Sequence, residues 1–272
     1  MNTLIIGCGY VGKALAKALH ALGHSVTATV KTSRNTASLD PYCQRVFFLR
    51  GSDQESMQKL IDANDLIIVT LAAKRKEDYQ SAYLGAASTL LSCARNSPAK
   101  TLIYTSSTSV YGDHGGAWVD EKSVLQPSTE NSSILVETEK TYTALEELGW
   151  NVTILRLAEI YGPGRSLQDK IKAMQGRILG GTGKAFSNMI HLEDIVGAVL
   201  YLHSHKITGI YNLADDEHPE KEVFYHDLAR KYHLKGILFD PSLKGMRMDN
   251  KKVSNHKIKS TGYSLKRASR AL

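Results

Sequence analysis

Short, apolar-rich runs alternate with longer stretches of helical periodicity over the first 160 residues of this chain. Leu4 to Ile6, Ser25 to Val30, Val46 to Leu49, Asp65 to Ala73, Thr101 to Thr105 and Asn151 to Arg156 read as strands. Between them, Lys13–Leu22, Glu55–Ala63, Tyr79–Asn96 and about Ser133–Leu148 carry apolar residues three and four apart, the spacing of an amphipathic helix. Asp65–Ala73 is apolar on both faces, as a strand buried inside a parallel sheet must be. Regular strand–helix alternation predicts an α/β fold, a doubly wound parallel sheet covered by helices over residues 1–160. Residues 161–272 differ. They hold Gly-rich loops (Gly162 to Gly164, Gly176 to Gly183) and two short helical runs, Ile195–His203 and Val223–Tyr232. No linker sets them apart, so a smaller C-terminal part is expected rather than an independent domain.

The first turn carries Gly7-Cys8-Gly9-Tyr10-Val11-Gly12, after a strand and before a helix. In that context the first glycine permits a tight turn, the second lets the backbone approach a pyrophosphate, and the third allows close helix–strand packing. Phosphates would sit at the helix N-terminus, where unpaired N–H groups favour negative charge. This points to a dinucleotide cofactor held by Gly7, Gly9, Tyr10, Val11 and Gly12 on a Rossmann-type sheet. An NAD site usually places an acid about 20 residues further on, for the ribose 2′-OH. Here the first carboxylate is Asp40, and the corresponding stretch reads Lys31-Thr32-Ser33-Arg34. Two cations and two hydroxyls suit a 2′-phosphate, so NADP(H) is expected ahead of NAD(H).

Composition narrows the class. At 272 residues, 42% hydrophobic and 22% charged, the chain is an ordinary globular sequence. No apolar run approaches the roughly 18 residues a membrane span needs, and no signal-peptide pattern precedes the first strand. Cys8, Cys43 and Cys93 are odd in number and widely spaced, against a disulfide framework and against zinc. A cytoplasmic protein is expected. Net charge is +7, and residues 244–272 hold nine Lys/Arg against one acid, Asp249. With one aromatic, Tyr263, and no recognised motif, that segment argues against nucleic acid. A solvated tail, or one lending a cation to a phosphorylated substrate, is expected.

Several segments in order, Gly7–Gly12, Asp65–Ala73, Tyr104–Gly112, Arg156 through Tyr161–Arg165, Ile190–Asp194 and Tyr211–Leu213, resemble the extended or atypical short-chain dehydrogenase/reductase superfamily. The likeness is to its NAD(P)-dependent epimerase/dehydratase branch, which includes nucleotide-sugar epimerases, and it spans almost the whole chain. The resemblance implies a small-molecule substrate such as a nucleotide sugar, and residues 161–272 as the substrate-binding part. It further implies that Leu71, Ala72 and Ala73 pass the cofactor, that Thr105 and Ser106 lie beside the nicotinamide, and that Ser107 hydrogen-bonds the reacting oxygen. His191 resembles the histidine that introduces a helix flanking the substrate cleft.

One departure stands out. The superfamily's Tyr-x-x-x-Lys places a phenol and an ammonium on one helical face, where the ammonium lowers the phenol's pKa for proton transfer. None of the thirteen tyrosines here has lysine four residues on. The best superposition puts Asn131 and Leu135 at those positions. Three explanations stay open: another residue does the acid/base work (Tyr104, Tyr111, Glu137 or His114, with Tyr111 preferred); the protein senses NADP(H) without turnover; or the reaction needs only hydride transfer and a positioned cation. Lys74, Arg75 and Lys76 after the fourth strand and Arg165 after the Gly-Pro-Gly turn are candidate cations, Lys74, Arg75 and Arg165 chief among them for the substrate. His191 with Glu193 and Asp194 lacks a third metal ligand at usable spacing, and His203 and His205 are expected to be exposed. No Gly-x-Ser-x-Gly elbow supports hydrolysis. The sequence leaves a homodimer open.

Overall fold

The computed structural model describes residues 1–32, 36–73, 78–243 and 249–270. Its centre is a parallel seven-stranded sheet: β1 (Asn2–Ile6), β2 (Ser25–Val30), β3 (Arg45–Phe48), β4 (Leu66–Val69), β5 (Thr101–Ser107), β6 (Asn151–Leu157) and β7 (Gly209–Leu213). The order across it is β3-β2-β1-β4-β5-β6-β7. All four residues of β4 and four of five in β1 are buried, which is why both read as unbroken apolar runs. Register pairs Ile6 with Val69, so β1 and β4 finish side by side. There the winding direction reverses, and at such a reversal open α/β sheets bind ligands beyond the carboxyl ends of their strands.

Helices follow the predicted alternation, with local reasons for their ends. α1 (Tyr10–Ala21) opens directly from the glycine turn. α2 (Gln54–Asp62) starts where the Asp53 carboxylate accepts the Ser56 N–H. The expected helix 79–96 is broken by a wide turn at Gln80–Gly85 before α3 (Ala86–Ala94). α4 (Glu130–Thr143) is fixed by a reciprocal Thr129–Ser132 capping box. It tightens over Ala144–Leu148 and stops at Gly149, whose φ of +78° suits glycine. β7 was not foreseen as a strand; Tyr211 and Asn212 interrupt its apolar pattern.

Two compact units emerge, each from three separated stretches: 1–107, 129–155 and 198–210 in the first, 108–128, 156–197 and 211–272 in the second. The excursion over 108–128 carries no change of composition that would announce it. The second unit has its own core, in which Tyr161, Ile171, Met189, Phe224 and Leu228 pack together. α5 (Leu167–Met174) and α7 (Lys221–Lys231) contribute to that core, and the unit also holds the start of α6 (Leu192–Ser204) and α8 (His256–Ser260). Short parallel pairs stitch the unit, such as Glu159–Tyr161 with Met189–His191.

The basic tail is not the solvated segment its composition suggested. Arg270 has no exposed side-chain surface and forks onto Asp215, with Nε to Oδ2 at 2.7 Å and an η nitrogen to Oδ1 at 2.8 Å. Asp194 accepts the Lys266 and Arg267 backbone N–H groups at 2.6 and 3.0 Å. The Tyr263 hydroxyl donates to the Asp194 carbonyl and sits where a Cβ on Gly197 would come within 2.6 Å. Lys251, also buried, donates to the Gly112 carbonyl. Asp215, buried elsewhere in the chain, recruits Arg270, while Asp194 fixes the backbone of Lys266 and Arg267 and the Gly112 carbonyl takes Lys251, pairings that local charge counts cannot reveal.

Candidate functional site

Three threonine- and glycine-based contacts build the turn after β1. The Gly7 N–H donates to the Thr29 hydroxyl (3.1 Å), the Cys8 N–H to the Thr29 carbonyl (2.8 Å), and the Thr70 hydroxyl to the Gly7 carbonyl (3.0 Å). Gly7 has φ of +81°, and a Cβ there would lie 2.7 Å from Leu71 Cδ2. A Cβ on Gly12 would lie 2.7 Å from Thr70 Oγ1 and 3.2 Å from Ile5 Cγ2. Gly9 differs. Its Cβ would meet nothing nearer than the Gly7 carbonyl at 3.9 Å. Two glycines are therefore required by the protein's own packing, and the middle one borders open space. α1 begins beside it with no side-chain cap and no acid in its first turn, so its leading N–H groups are available to an anion. Tyr10 opens the helix, and Val11 is buried beneath it. The cradle fits a dinucleotide pyrophosphate.

At the end of β2, Lys31 and Thr32 are exposed, while Ser33 and Arg34 lie outside the described residues. The stretch had been read as having no acid nearby to repel a phosphate. The fold corrects this: Asp78, 47 residues on, pairs with Lys31 at 2.9 Å. Chain separation hid the carboxylate. Leu71 seats Gly7, Ala72 is exposed, and the Ala73 N–H reaches the Tyr83 hydroxyl at 3.4 Å. Lys74, Arg75 and Lys76 lie outside the described residues.

The end of β5 carries the hydroxyl run. Thr105 donates to the Val69 carbonyl at 3.2 Å. Ser106 donates to Glu139 Oε1 at 2.6 Å, and both residues are buried. Ser107 ends the strand, half-buried. Glu139 was missed. It continues the register of Asn131 and Leu135 by one more helical turn, so extending that face by four residues would have found it. Leu135 is buried, and Asn131 presents a buried Oδ1 with no partner among the described residues. Asn131 and Leu135, which the resemblance sets at the phenol and ammonium positions, are an amide and an alkyl group.

The alternative proton carriers fare differently. Tyr111 has no exposed surface; its hydroxyl accepts from Arg156 (2.9 Å) and donates to Asn212 Oδ1 (2.7 Å). Burial pushes its pKa up to about 12, against the opposing Arg156 charge. A buried phenol that already donates to Asn212 and accepts from Arg156 keeps its proton near neutrality, which weighs against Tyr111 as the proton carrier. Tyr104 is likewise buried, against Tyr142, and burial raises it well above the ordinary phenol range. Glu137 pairs with Lys140 on the surface, and His114 packs edge-on to Tyr111.

In the second unit, Arg165 is exposed and closes the Gly-Pro-Gly turn through reciprocal backbone bonds with Gly162. His191 is half-buried, edge-on to Tyr161, with Nδ1 accepting the Glu193 N–H at 3.2 Å. Burial, aided by Arg267, lowers its pKa, so the ring is neutral with its proton on Nε2. His203 and His205 lie at the end of α6 in the first unit, the former edge-on to His24 and the latter stacked on Tyr201. Among the described residues, no His/Cys/Asp/Glu group is arranged to hold a metal, and no helix is long and apolar enough to cross a membrane.

Comparison with known proteins adds three likenesses and a family. Residues 3–214 match the model of the NAD dependent epimerase/dehydratase family. Protein YeeZ of Escherichia coli (strain K12) is 34% identical over 264 residues, covering 92% of each chain. The 3-diazoavenalumate denitrifying reductase of a Streptomyces species is 25% identical over 240 residues, covering 80% of this chain and 77% of that one. The structure of MoeE5 in complex with UDP-glucuronic acid and NAD shares the fold, with a TM-score of 0.82 at 16% identity over 98% of this chain and 94% of the other.

Proposed function

The chain belongs to the NAD dependent epimerase/dehydratase family, and on that premise we propose that its first unit binds a nicotinamide dinucleotide, NADP(H) ahead of NAD(H). The protein then exchanges a hydride with a sugar nucleotide or a related carbonyl or alcohol. The observation that carries this reading is the contrast among the three glycines: Gly7 and Gly12 closed off by Leu71 and Thr70, Gly9 open at an uncapped helix start. The bound nicotinamide would supply the hydride acceptor or donor. Everything else falls to side chains. Thr105 and Ser106 line the nicotinamide position, with Ser106 held by Glu139. Ser107 donates to the reacting oxygen, a contact that strengthens as charge develops. Asn131 offers a buried acceptor that a bound hydroxyl would satisfy. By the family resemblance, Arg165 and His191 are candidates for the substrate's anionic and hydroxyl groups, as are Lys74 and Arg75, which lie outside the described residues.

NADP(H) is preferred because Lys31 and Thr32 are exposed at the end of β2 and the sequence continues with Ser33 and Arg34, cations and hydroxyls that suit a 2′-phosphate. Asp78 does not cancel this. Its bond to Lys31 is exposed, and such pairs contribute only about 0–1 kcal/mol, less than a phosphate can offer two cations. MoeE5 bound to NAD and UDP-glucuronic acid supports the cofactor and substrate classes. A second reading, a protein that senses NADP(H) without turnover, draws on Asn131 and Leu135 in the Tyr and Lys positions and on the engaged Tyr111 phenol.

Calorimetry with NADPH and NADH, followed by nicotinamide absorbance on a panel of sugar nucleotides and carbonyls, separates the outcomes. Turnover abolished by Ser107→Ala, with cofactor affinity kept, supports the enzyme; binding without turnover on any substrate supports the sensor. Tighter NADH than NADPH overturns the cofactor preference. No binding of either overturns both readings.

A further inference from the structure

We propose that Glu139 is a positioning residue that makes Ser106 an obligate hydrogen-bond acceptor, so that the end of β5 selects a cofactor ring bearing an N–H donor, the carboxamide of nicotinamide. This deepens the cofactor reading above and rests on it. Ser106 gives its one hydroxyl proton to Glu139 Oε1 at 2.6 Å, and the two residues are 6% and 4% exposed. A carboxylate accepts, so the direction of that bond is fixed and the serine oxygen is left with lone pairs alone. Thr105 beside it is committed in the same way, its hydroxyl donating to the Val69 carbonyl at 3.2 Å. On the row of α4 that carries Glu139, Asn131 adds a buried Oδ1 with no partner among the described residues. These oxygens call for a donor. A phosphate, a carboxylate or a ketone offers none.

Strand order determines which part of a dinucleotide arrives there. The pyrophosphate belongs at Gly9 and the start of α1, and the adenosine ribose toward Lys31 at the end of β2. The other half of the cofactor then runs the opposite way, across β4 to β5. Neighbouring strands lie about 4.8 Å apart, which sets β5 roughly 10 Å from β1. Ile6 is level with Val69, and Val69 with Tyr104. Thr105 and Ser106 therefore stand just beyond the level where β1 and β4 finish. The buried Tyr104 hydroxyl lies two residues back on the same face of β5. Because a serine oxygen has two lone pairs, one serves a ligand whichever way that phenol turns.

Glu139 thus acts through Ser106 and touches no ligand itself. Without the carboxylate, the Ser106 hydroxyl would rotate and either donate or accept. With it, a ring lacking the N–H leaves a buried acceptor unpaired, and sites built around a hydrogen bond reject such analogues far more strongly than shape alone does.

Calorimetry on the full-length protein compares NADP⁺ with its 3-acetylpyridine analogue, which carries the same charges and a methyl ketone in place of the carboxamide. The unmodified chain is expected to bind NADP⁺ at least about tenfold more tightly. Ser106→Ala narrows that preference to within about twofold by weakening NADP⁺. Glu139→Leu narrows it from the other side, strengthening the ketone analogue because the freed hydroxyl can donate; Glu139→Ala serves if leucine does not fold. A purely structural role for either residue would lower both affinities alike and leave their ratio standing. Glu147→Gln, exposed just beyond α4, changes neither affinity. Equal affinities in the unmodified chain overturn the idea, as does a preference that survives Ser106→Ala or loss of the Glu139 carboxylate. Binding of neither dinucleotide defeats the cofactor reading itself, whereas equal binding of both defeats this inference alone.

Discussion

Adding one methyl group at Gly12 and, separately, at Gly9 should have opposite consequences. In a helix, Gly→Ala normally stabilises by roughly 0.5–1 kcal/mol, because alanine restricts the unfolded chain. At Gly12 the new Cβ would stand 2.7 Å from Thr70 Oγ1 and 3.2 Å from Ile5 Cγ2. Threonine is short and β-branched, and its hydroxyl is tied to the Gly7 carbonyl at 3.0 Å, so it cannot swing away without losing that bond. Overpacking costs about 1–3 kcal/mol and the lost hydrogen bond about 0.5–1.5. The net effect of Gly12→Ala is a loss of about 1–3 kcal/mol, several degrees in Tm at about 2–4 °C per kcal/mol. Gly9→Ala meets nothing within 3.9 Å, so stability should stay within about 0.5 kcal/mol. Its methyl instead occupies the space assigned to the pyrophosphate, and NADPH affinity should fall at least about tenfold, near 1.4 kcal/mol. Thermal melts and urea titrations of the cofactor-free proteins, with calorimetry for Kd, measure both. The reasoning is refuted if Gly12→Ala raises Tm, as an unhindered helical glycine would, or if Gly9→Ala leaves NADPH binding intact.

Three further outcomes follow from the second unit. Arg270→Ala should destabilise by about 3–5 kcal/mol in urea titration, because Asp215 would keep its burial and lose its forked partner; a change under 1 kcal/mol would contradict the docked tail. His218 is held down to about 4 by burial, with Arg270 adding to the effect, and its Nδ1 meets Asn188 Oδ1 at 2.8 Å. Below about 6.5 the unfolded chain takes up a proton that the folded one refuses, so stability is full above that pH and drains away toward pH 4. The loss is of order 2–3 kcal/mol, and pH-dependent melts of His218→Gln should lack it. Tyr111→Phe should cost about 1–3 kcal/mol of stability by stripping partners from buried Arg156 and Asn212. Any turnover per folded molecule should survive, and its abolition would restore Tyr111 as a proton carrier.

Much of the fold was legible because local patterns and tertiary demands coincide. β2 runs over Ser25–Val30 as read, and the unbroken apolar stretch at Leu66–Val69 became the strand beside β1. Gly7 has the positive φ of a tight turn and Gly12 the close packing contact, while Gly9 borders open space, each a residue-level mark. Legibility failed where partners are distant in the chain. Asp78 at Lys31, Glu139 at Ser106 and Asp215 at Arg270 are separated by 47, 33 and 55 residues, and no window of sequence links them.

Sequence by itself therefore determined the strand order's raw material, the glycine turn and the absence of any Tyr-x-x-x-Lys pair, because each is a statement about neighbours along the chain. Tertiary structure alone decided that the basic tail is anchored, that Tyr111 is buried with its hydroxyl engaged, and that Glu139 meets Ser106. The physical reason is common to all three. Burial and charge pairing are set by what folding brings together across tens of residues, and the environment of a side chain, more than its identity, fixes whether it binds, reacts or merely holds the protein in shape.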